Sequence, residues 1–423
     1  MRLQLIWTIV TELTVMVAGI LLLKLAASFL GPMGFGEYTL TRRAIGLMYL
    51  PLVLGLGIAA PRYIAIARTG AMKGFTESAF AIATLTAGLA PALFVALLIN
   101  VLPGTAATVL FGTSTLSKLV FPTSLALAGM SLHSMVYAVY RGRSEMGFAN
   151  TMQLVNLGIV PVVSFLISTR TAPAVLKTTA SLWILVSLVA LTHVLIRERS
   201  GWQGSAHMKD HLRTLLKFGL PRVPGEFAMV GLFGIPALIA VRAHGVVLAG
   251  QFSAALSVLT MASGAFAPVG LVVLPRASAL AASGDIPAVK HLVLRILAGG
   301  ILLAGIGVLI GEILIPPFIR WYFGAAFVPA IPIFRACLLG AIPYAVYVLM
   351  RSILDALEVK ALNSKNLIIS LIVVVGLCLV NSSIMWMSFS LVGSLVLLGV
   401  LTLRDTYARL RVAPATSTQA IPA

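Results

Sequence analysis

Long apolar segments recur from one end of the chain to the other, separated by short stretches rich in Pro, Gly and charged residues. Each segment has roughly twenty residues, enough to cross about 30 Å of hydrocarbon as an α-helix. The pattern predicts about twelve membrane spans, at 5–29, 38–61, 77–102, 118–140, 147–168, 174–196, 218–241, 246–274, 292–315, 328–350, 366–382 and 384–403.

The first two predicted spans are similar to the seventh and eighth when the chain is shifted by 214 residues. The shift superimposes Glu12 on Glu226, Gly31 on Gly245, Gly36 on Gly250, and Pro61-Arg62 on Pro275-Arg276. Generic likeness among apolar helices is the alternative explanation, but these matches fall at span ends and at an acidic residue within a span. Repeats of six spans share one orientation. We therefore expect an all-α integral membrane protein, with two parallel six-helix repeats around a central cavity.

The repeat also predicts the domain organisation. We expect an N-terminal six-helix bundle at 1–197, a cytoplasmic linker loop at 198–217, a C-terminal six-helix bundle at 218–405 and a disordered cytoplasmic tail at 406–423. The tail is rich in Pro, Ala and Thr, which favours disorder. The N-terminal apolar segment has no small-residue cleavage pattern, so we interpret it as a retained first span rather than a signal peptide.

Composition and charge support a membrane protein. The chain is 60% hydrophobic and 10% charged, with a mean hydropathy of +1.05, whereas soluble domains are about 25% charged. Basic residues between spans favour the side that holds the N-terminus by about four to one, which predicts cytoplasmic termini in the inner (plasma) membrane. Topology thus accounts for most of the net charge of +18, and we predict no nucleic-acid partner.

Charged residues inside the predicted spans are the candidate functional residues, because ionisable groups at bilayer depth usually face a cavity or a partner. Arginine suits phosphate groups, since its planar guanidinium holds two oxygens and stays charged. The hypothesis is a cationic cavity for an anionic head group. Its candidate cations are Lys24, Arg42, Arg43, Arg222 and Arg335, and the acids that orient them or exchange a proton are Glu12 and Glu226.

Structural roles are the alternative for each of these residues. Arg222 and Glu226 are spaced i, i+4 and can neutralise each other on one helix face. Lys24, Arg42 and Arg43 can extend to the membrane interface, and Glu12 and Arg335 can serve in structural pairs. The alternatives stay open from sequence alone.

Other chemistry has little support in the sequence. Cys337 and Cys378 lie inside apolar segments and indicate neither a disulfide framework nor a metal site. His207 and His211 are four residues apart, but a solvated basic loop explains them better than metal binding, and His133 suits packing better than a proton relay. We find no Walker phosphate loop and no nucleophile elbow. We therefore predict no cofactor and no enzymatic activity.

Residues 29–38, Phe-Leu-Gly-Pro-Met-Gly-Phe-Gly-Glu-Tyr, close the first span. This stretch resembles the LGPxGFGxY signature of polysaccharide-biosynthesis flippases, the Wzx-type branch of the multidrug/oligosaccharidyl-lipid/polysaccharide exporter superfamily. Gly55-Leu56-Gly57, Pro61-Arg62-Tyr63 and Tyr140-Arg141-Gly142 are similar to later parts of that family. The twelve spans extend the resemblance over nearly the whole chain.

The resemblance implies a flippase that moves an undecaprenyl-pyrophosphate-linked oligosaccharide across the cytoplasmic membrane by alternating access, for surface polysaccharide or O-antigen of lipopolysaccharide. Its partners would be that lipid-linked oligosaccharide, membrane lipids and other polysaccharide assembly proteins. The second hypothesis is a multidrug or small-molecule exporter of the same superfamily, which would need a more acidic or aromatic cavity. A membrane-embedded polymerase or ligase is a distant third, because the predicted outer loops are short.

Overall fold

The computed structural model describes residues 2–70, 72, 74–198, 208–264, 266, 269, 273, 276, 277, 280, 283, 285–357 and 362–411. Within these residues the secondary structure is helical throughout. Long apolar helices follow from a simple constraint, because backbone polar groups in hydrocarbon must be satisfied within their own segment. The fold class predicted from sequence is therefore confirmed.

The chain divides into two compact units, and the first comprises Met1–Val230, Ala237–Gln251 and Tyr322–Phe327. Its helices are α1 (Arg2–Leu52), α2 (Leu56–Arg68), α3 (Glu77–Val101), α4 (Pro103–Phe111), α5 (Val120–Gly142), α6 (Met146–Gln153), α7 (Val160–Ile167), α8 (Ala172–Glu198) and α9 (Met208–Gly219). It also has 3₁₀ helices at Ser114–Leu119 and Leu220–Arg222, a π-helix at Leu154–Ile159, and part of α10 (Val223–Gly264).

The second unit comprises Gly231–Pro236, Phe252–Trp321 and Val328–Ala423. Beyond α10, its helices are α11 (Ile286–Tyr322), α12 (Ile331–Leu338), α13 (Ala341–Leu357), α14 (Leu362–Val380) and α15 (Ile384–Arg411). The 3₁₀ helix Ala325–Ala330 precedes α12. Its core joins α11, α13 and α15, where Val293, Met350 and Ile353 are fully buried.

Nine helical segments of the described chain are long and apolar enough to cross a membrane, and the bent pair Ala325–Leu338 and Ala341–Leu357 makes a tenth. Two of the nine, Ile6–Leu52 with 47 residues and Met208–Ala262 with 55, are each about twice the length that one crossing needs. Each contains one glycine with non-helical backbone angles, Gly31 or Gly245, and division of the described segments at these two glycines gives twelve spans. The chain is a multi-pass membrane protein.

The two interruptions have the same backbone geometry. Gly31 has φ 64° and ψ 179°, and Gly245 has φ 77° and ψ 177°, a conformation that is accessible essentially only to glycine. Gly112 and Gly324 also match, with φ values of 81° and 95°, and a 3₁₀ helix follows each. Gly31 and Gly245, which the sequence shift paired, thus share backbone conformation, which confirms two repeats.

Some helices have exposed apolar faces, as expected for surfaces that contact lipid, whereas others are buried within the protein. On α3, Phe94, Leu97 and Val101 are 65%, 73% and 70% exposed, and on α11 Leu309 and Ile313 are 65% and 68% exposed. Such faces are costly in water and suit a hydrocarbon surround. By contrast, α5 is largely buried against α3 and α8. Its Gly129 permits this, because a Cβ there would lie 3.1 Å from the Cβ of Trp183.

Several predicted loops are wrong in detail. Helix α1 continues from Pro32 through the predicted connection to Leu52, because the break in its helical backbone is confined to Gly31. Residues 103–111, predicted as loop, form α4, since Pro103 suits the first turn of a helix. Residues 208–217 of the predicted linker loop belong to α9, and residues 406–411 of the predicted tail belong to α15. The other linker and tail residues, 199–207 and 412–423, lie outside the described chain.

An ion-pair cluster ties together α2, α3 and α5 at the end predicted to be cytoplasmic. The Glu77 carboxylate lies 2.8 Å from Arg143 Nε and 3.4 Å from Arg68 Nε. Arg68 also donates to the main-chain oxygen of Arg143. Because the Arg143 side chain is 6% exposed, its charge needs this carboxylate nearby.

Candidate functional site

A cavity of about 250 Å³ lies inside the first unit. It is lined by both halves of α1 together with α5, the π-helix, α7 and α8. The lining residues are Val15, Gly19, Leu22, Tyr38, Arg42, Ile45, Gly46, Tyr49, Ala126, Met130, Leu157, Pro161, Leu176, Thr179 and Trp183. The cavity is smaller than the about 300–1,000 Å³ of typical small-molecule pockets, so it suits one chemical group of a larger ligand.

Arg42 is the one charged residue among the described residues that line this cavity. Its guanidinium carbon lies 5.7 Å from the centre of the Tyr38 ring, one helical turn earlier, within the range of a cation–π contact. The remaining polar groups are aromatic or hydroxyl-bearing, from Tyr49, Thr179 and Trp183. A cation with neutral polar neighbours and no lining carboxylate favours an anionic group in this space.

The wall behind the cavity is a buried polar network. The Asn156 side chain donates to His133 Nδ1 at 3.0 Å and to Ser187 Oγ at 3.0 Å, while Gln153 Oε1 lies 3.3 Å from His133 Nε2. The Trp183 indole N–H donates to the main-chain oxygen of Asn156. These contacts join α5, α6, the π-helix and α8, and the hydrogen bond of the indole N–H holds the Trp183 ring where it lines the cavity.

The π-helix explains how Asn156 reaches its partners. Its wider turn departs from the α-helical register, and such turns are frequently found at functional sites. Sequence reasoning did not select Asn156, Trp183, Tyr38 or Tyr49. A signal was present for Asn156, because an amide in an apolar span must find partners within the protein.

Lys24 and Arg43 belong to the same unit as the cavity and are both partly buried, but neither lines it. Lys24 lies on the first half of α1 and Arg43 follows Arg42 on the second half. Adjacent helical residues point about 100° apart, which explains why Arg42 and Arg43 separate. Glu12 is exposed and also outside the lining set.

Arg222 and Glu226 were predicted to stack on one helix face. In the structure Arg222 ends a 3₁₀ turn just before α10, and its guanidinium reaches back to Phe218. It donates to the Phe218 carbonyl at 2.6 Å and lies 3.7 Å from the centre of the Phe218 ring. Glu226 is partly buried in the first turn of α10. The structure thus assigns Arg222 to an aromatic contact beside the start of α10.

Arg335 lies in the second unit, where it is paired with Glu312. Its Nε is 3.5 Å from the Glu312 carboxylate, and its Nη2 donates to the Glu312 carbonyl at 3.3 Å. The two side chains are 49% and 29% exposed. The predicted cations are therefore distributed: Arg42 lines the cavity of the first unit, and Arg335 forms an ion pair in the second.

Groups of three or more metal-ligating side chains do not occur among the described residues. His211 is buried, and its Nε2 accepts the Thr76 main-chain N–H at 3.1 Å. Its ring packs between Phe75 and Phe80. His207 lies outside the described chain. The contacts of His211 therefore serve helix packing.

No protein-family model matches the chain, and a comparison with curated proteins finds no match. Solved structures do match over nearly its full length. The inward-facing conformation of a multidrug resistance MATE family transporter of the MOP superfamily has a TM-score of 0.73 and 14% identity, covering 94% of this chain and 96% of that one.

Two further structures show the same fold. A MOP superfamily transporter from Pyrococcus furiosus, whose binding pocket of reverse polarity suggests a different function, has a TM-score of 0.65 and 15% identity, with 96% and 95% coverage. The Vibrio cholerae MATE transporter VcmN in its bent form has a TM-score of 0.63 and 14% identity, with 96% of each chain covered. The chain thus has the fold of MOP superfamily transporters.

Proposed function

We propose that the protein is a transporter that works by alternating access and moves an anionic lipid-linked glycan, undecaprenyl-pyrophosphate-linked oligosaccharide, across the cytoplasmic membrane. The fold supports transport. The observation that carries the choice of substrate is the cavity of the first unit, whose one charged lining residue among those described is Arg42. The resemblance of residues 29–38 to polysaccharide flippases supports the same substrate.

In this proposal the Arg42 guanidinium binds oxygens of the pyrophosphate. A bidentate, charge-assisted contact of this kind is about twice as strong as a neutral hydrogen bond. Tyr38 holds the guanidinium from one side, and the rings of Tyr49 and Trp183 offer surfaces against which a sugar can pack. A volume of about 250 Å³ accommodates the head group while the rest of the glycan and the lipid remain elsewhere.

The other candidate residues have supporting roles in the proposal. Lys24, Arg43 and Arg222 add positive charge within the first unit and Arg335 within the second, while Glu12 and Glu226 orient cations or exchange protons. Membrane lipids and polysaccharide assembly proteins are the proposed partners, and the inner membrane is the proposed location.

A multidrug exporter is the second candidate. The similarity to a multidrug resistance transporter and the aromatic lining of the cavity favour it. A cationic drug, however, would be repelled by Arg42 and would find no lining carboxylate among the described residues. The MOP superfamily transporter from Pyrococcus furiosus, whose binding pocket of reverse polarity suggests a different function, shares this fold.

Deletion of the gene, followed by analysis of lipid-linked and surface glycans, tests the proposal. We expect completed undecaprenyl-pyrophosphate glycan to accumulate and surface glycan to be lost, with recovery on re-expression of the wild-type chain. Unchanged glycans together with increased sensitivity to cationic drugs would reject the flippase and support the drug exporter.

A further inference from the structure

Helix α9 carries three cations on one exposed stripe. Lys209, Arg213 and Lys217 follow one another at four-residue spacing and are all exposed. Four residues correspond to 400°, so successive members of the stripe are displaced by about 40° around the helix. Asp210 is the one acidic residue of α9, and the three cations outnumber it.

The opposite face of α9 is fixed to the first unit. His211, Leu215 and Gly219 are buried there, and α9 packs against α2 and α3. His211 Nε2 accepts a hydrogen bond from the main-chain N–H of Thr76, which caps the N-terminus of the membrane span α3. This contact locates α9 relative to the membrane. The beginning of α9 is therefore level with the end of a span, where lipid phosphate groups are found.

The cationic stripe borders an open groove of about 630 Å³. Its lining residues are Lys209, Leu212, Arg213, Leu216, Lys217, Leu220 and Pro221. Cations and leucines thus alternate along a single surface. A phospholipid has the matching arrangement, with a phosphate next to an acyl chain, whereas a soluble anion would use only the cations.

We propose that this surface, the α9 groove, binds anionic phospholipid from the membrane leaflet. The head-group phosphate contacts Lys209, Arg213 and Lys217, and the start of an acyl chain packs on Leu212, Leu216 and Leu220. The charge bias of membrane topology explains basic residues on the cytoplasmic side in general, but it does not require their regular spacing beside leucines. The proposal is independent of the transported substrate.

Native mass spectrometry of the full chain in neutral detergent tests the α9 groove, with dioleoyl phosphatidylglycerol and dioleoyl phosphatidylcholine as probes. We expect the wild type to retain phosphatidylglycerol in preference to phosphatidylcholine, and high salt to weaken retention. The combined variant Lys209→Gln, Arg213→Gln and Lys217→Gln should bind phosphatidylglycerol about 100-fold more weakly.

A matched control removes three cations from the end of α15, with Arg404→Gln, Arg409→Gln and Arg411→Gln, and should retain the lipid. Equal retention by the wild type and the α9 variant, or equal retention of both lipids, would overturn the proposal. Undecaprenyl pyrophosphate is a third probe. If its binding is lost in the α9 variant while phosphatidylglycerol does not bind to the wild type, the groove is a binding site for the transported substrate and the proposal is overturned. Gel-filtration profiles of the variants confirm that they are folded.

Discussion

Gly36 and Gly250, which occupy equivalent positions in the two repeats, contact each other. A Cβ on Gly250 would lie 2.5 Å from the Gly36 Cα, and a Cβ on Gly36 would lie 2.4 Å from the Val246 carbonyl oxygen. At both positions two main chains approach so closely that a residue with a Cβ atom would clash. The contact explains why the sequence shift finds glycine at both positions.

Substitution of either glycine by alanine should destabilise the protein. The added methyl group meets main chain rather than a flexible side chain, so we expect a cost of about 1–3 kcal/mol. Thermal unfolding in detergent measures the effect. The control is Gly305→Ala, where a Cβ would have nothing within 4 Å and alanine favours the helix. Equal unfolding midpoints for Gly250→Ala and Gly305→Ala would contradict the contact.

Gly31 and Gly245 should resist substitution for another reason. Neither has an atom within 4 Å of a built Cβ, so space is available, but their positive φ with extended ψ strains other residues by about 1–3 kcal/mol. We expect Gly31→Ala to lower the unfolding midpoint although it creates no clash. A smaller side chain at a neighbouring position should give no rescue, because no neighbouring atom stands in the way of the added methyl group. If Gly31→Ala is as stable as the wild type, the backbone argument fails.

Arg42→Gln should reduce export of the lipid-linked glycan, because glutamine keeps much of the side chain but removes the charge. The loss of one charge-assisted contact weakens binding by about 10- to 100-fold. Arg42→Lys should retain partial activity, since the charge remains without the planar fork. Surface glycan in a complemented deletion strain is the measurement.

Arg170→Gln is the matched control for Arg42. Arg170 is exposed and its guanidinium also lies over an aromatic ring, 4.9 Å from the centre of Phe29, but it does not line the cavity. Export should be normal in this variant. Normal export by Arg42→Gln, at wild-type protein levels, would remove Arg42 from the proposed site.

Asn156→Ala should destabilise the first unit. It removes the donors to His133 and Ser187 and leaves buried acceptors without that partner, at a cost of about 2–4 kcal/mol. Asn100→Ala is the comparison, because Asn100 is exposed and its amide donates to the Ala96 carbonyl within its own helix. In thermal unfolding, the midpoint of Asn156→Ala should lie clearly below that of Asn100→Ala. Similar small effects would show that the network contributes little to stability.

The sequence by itself determined the spans, the all-helical fold and the repeat. Apolar length has to match bilayer thickness, and a backbone conformation that needs glycine is visible in the local sequence, as at Gly31 and Gly245. Neither inference requires knowledge of which helices are neighbours. Predictions were wrong where a few residues decide the structure, as at residues 208–217, whose helix has only one face buried against α2 and α3.

Only the tertiary structure decided which cation faces which surroundings. Arg42 lines a cavity while Arg43 does not, Arg222 turns back onto Phe218, and Arg335 pairs with Glu312. Each outcome depends on helix rotation and on side chains that are distant in sequence. A charged residue in an apolar span therefore reveals that a partner is needed, but the packing of the surrounding helices selects that partner.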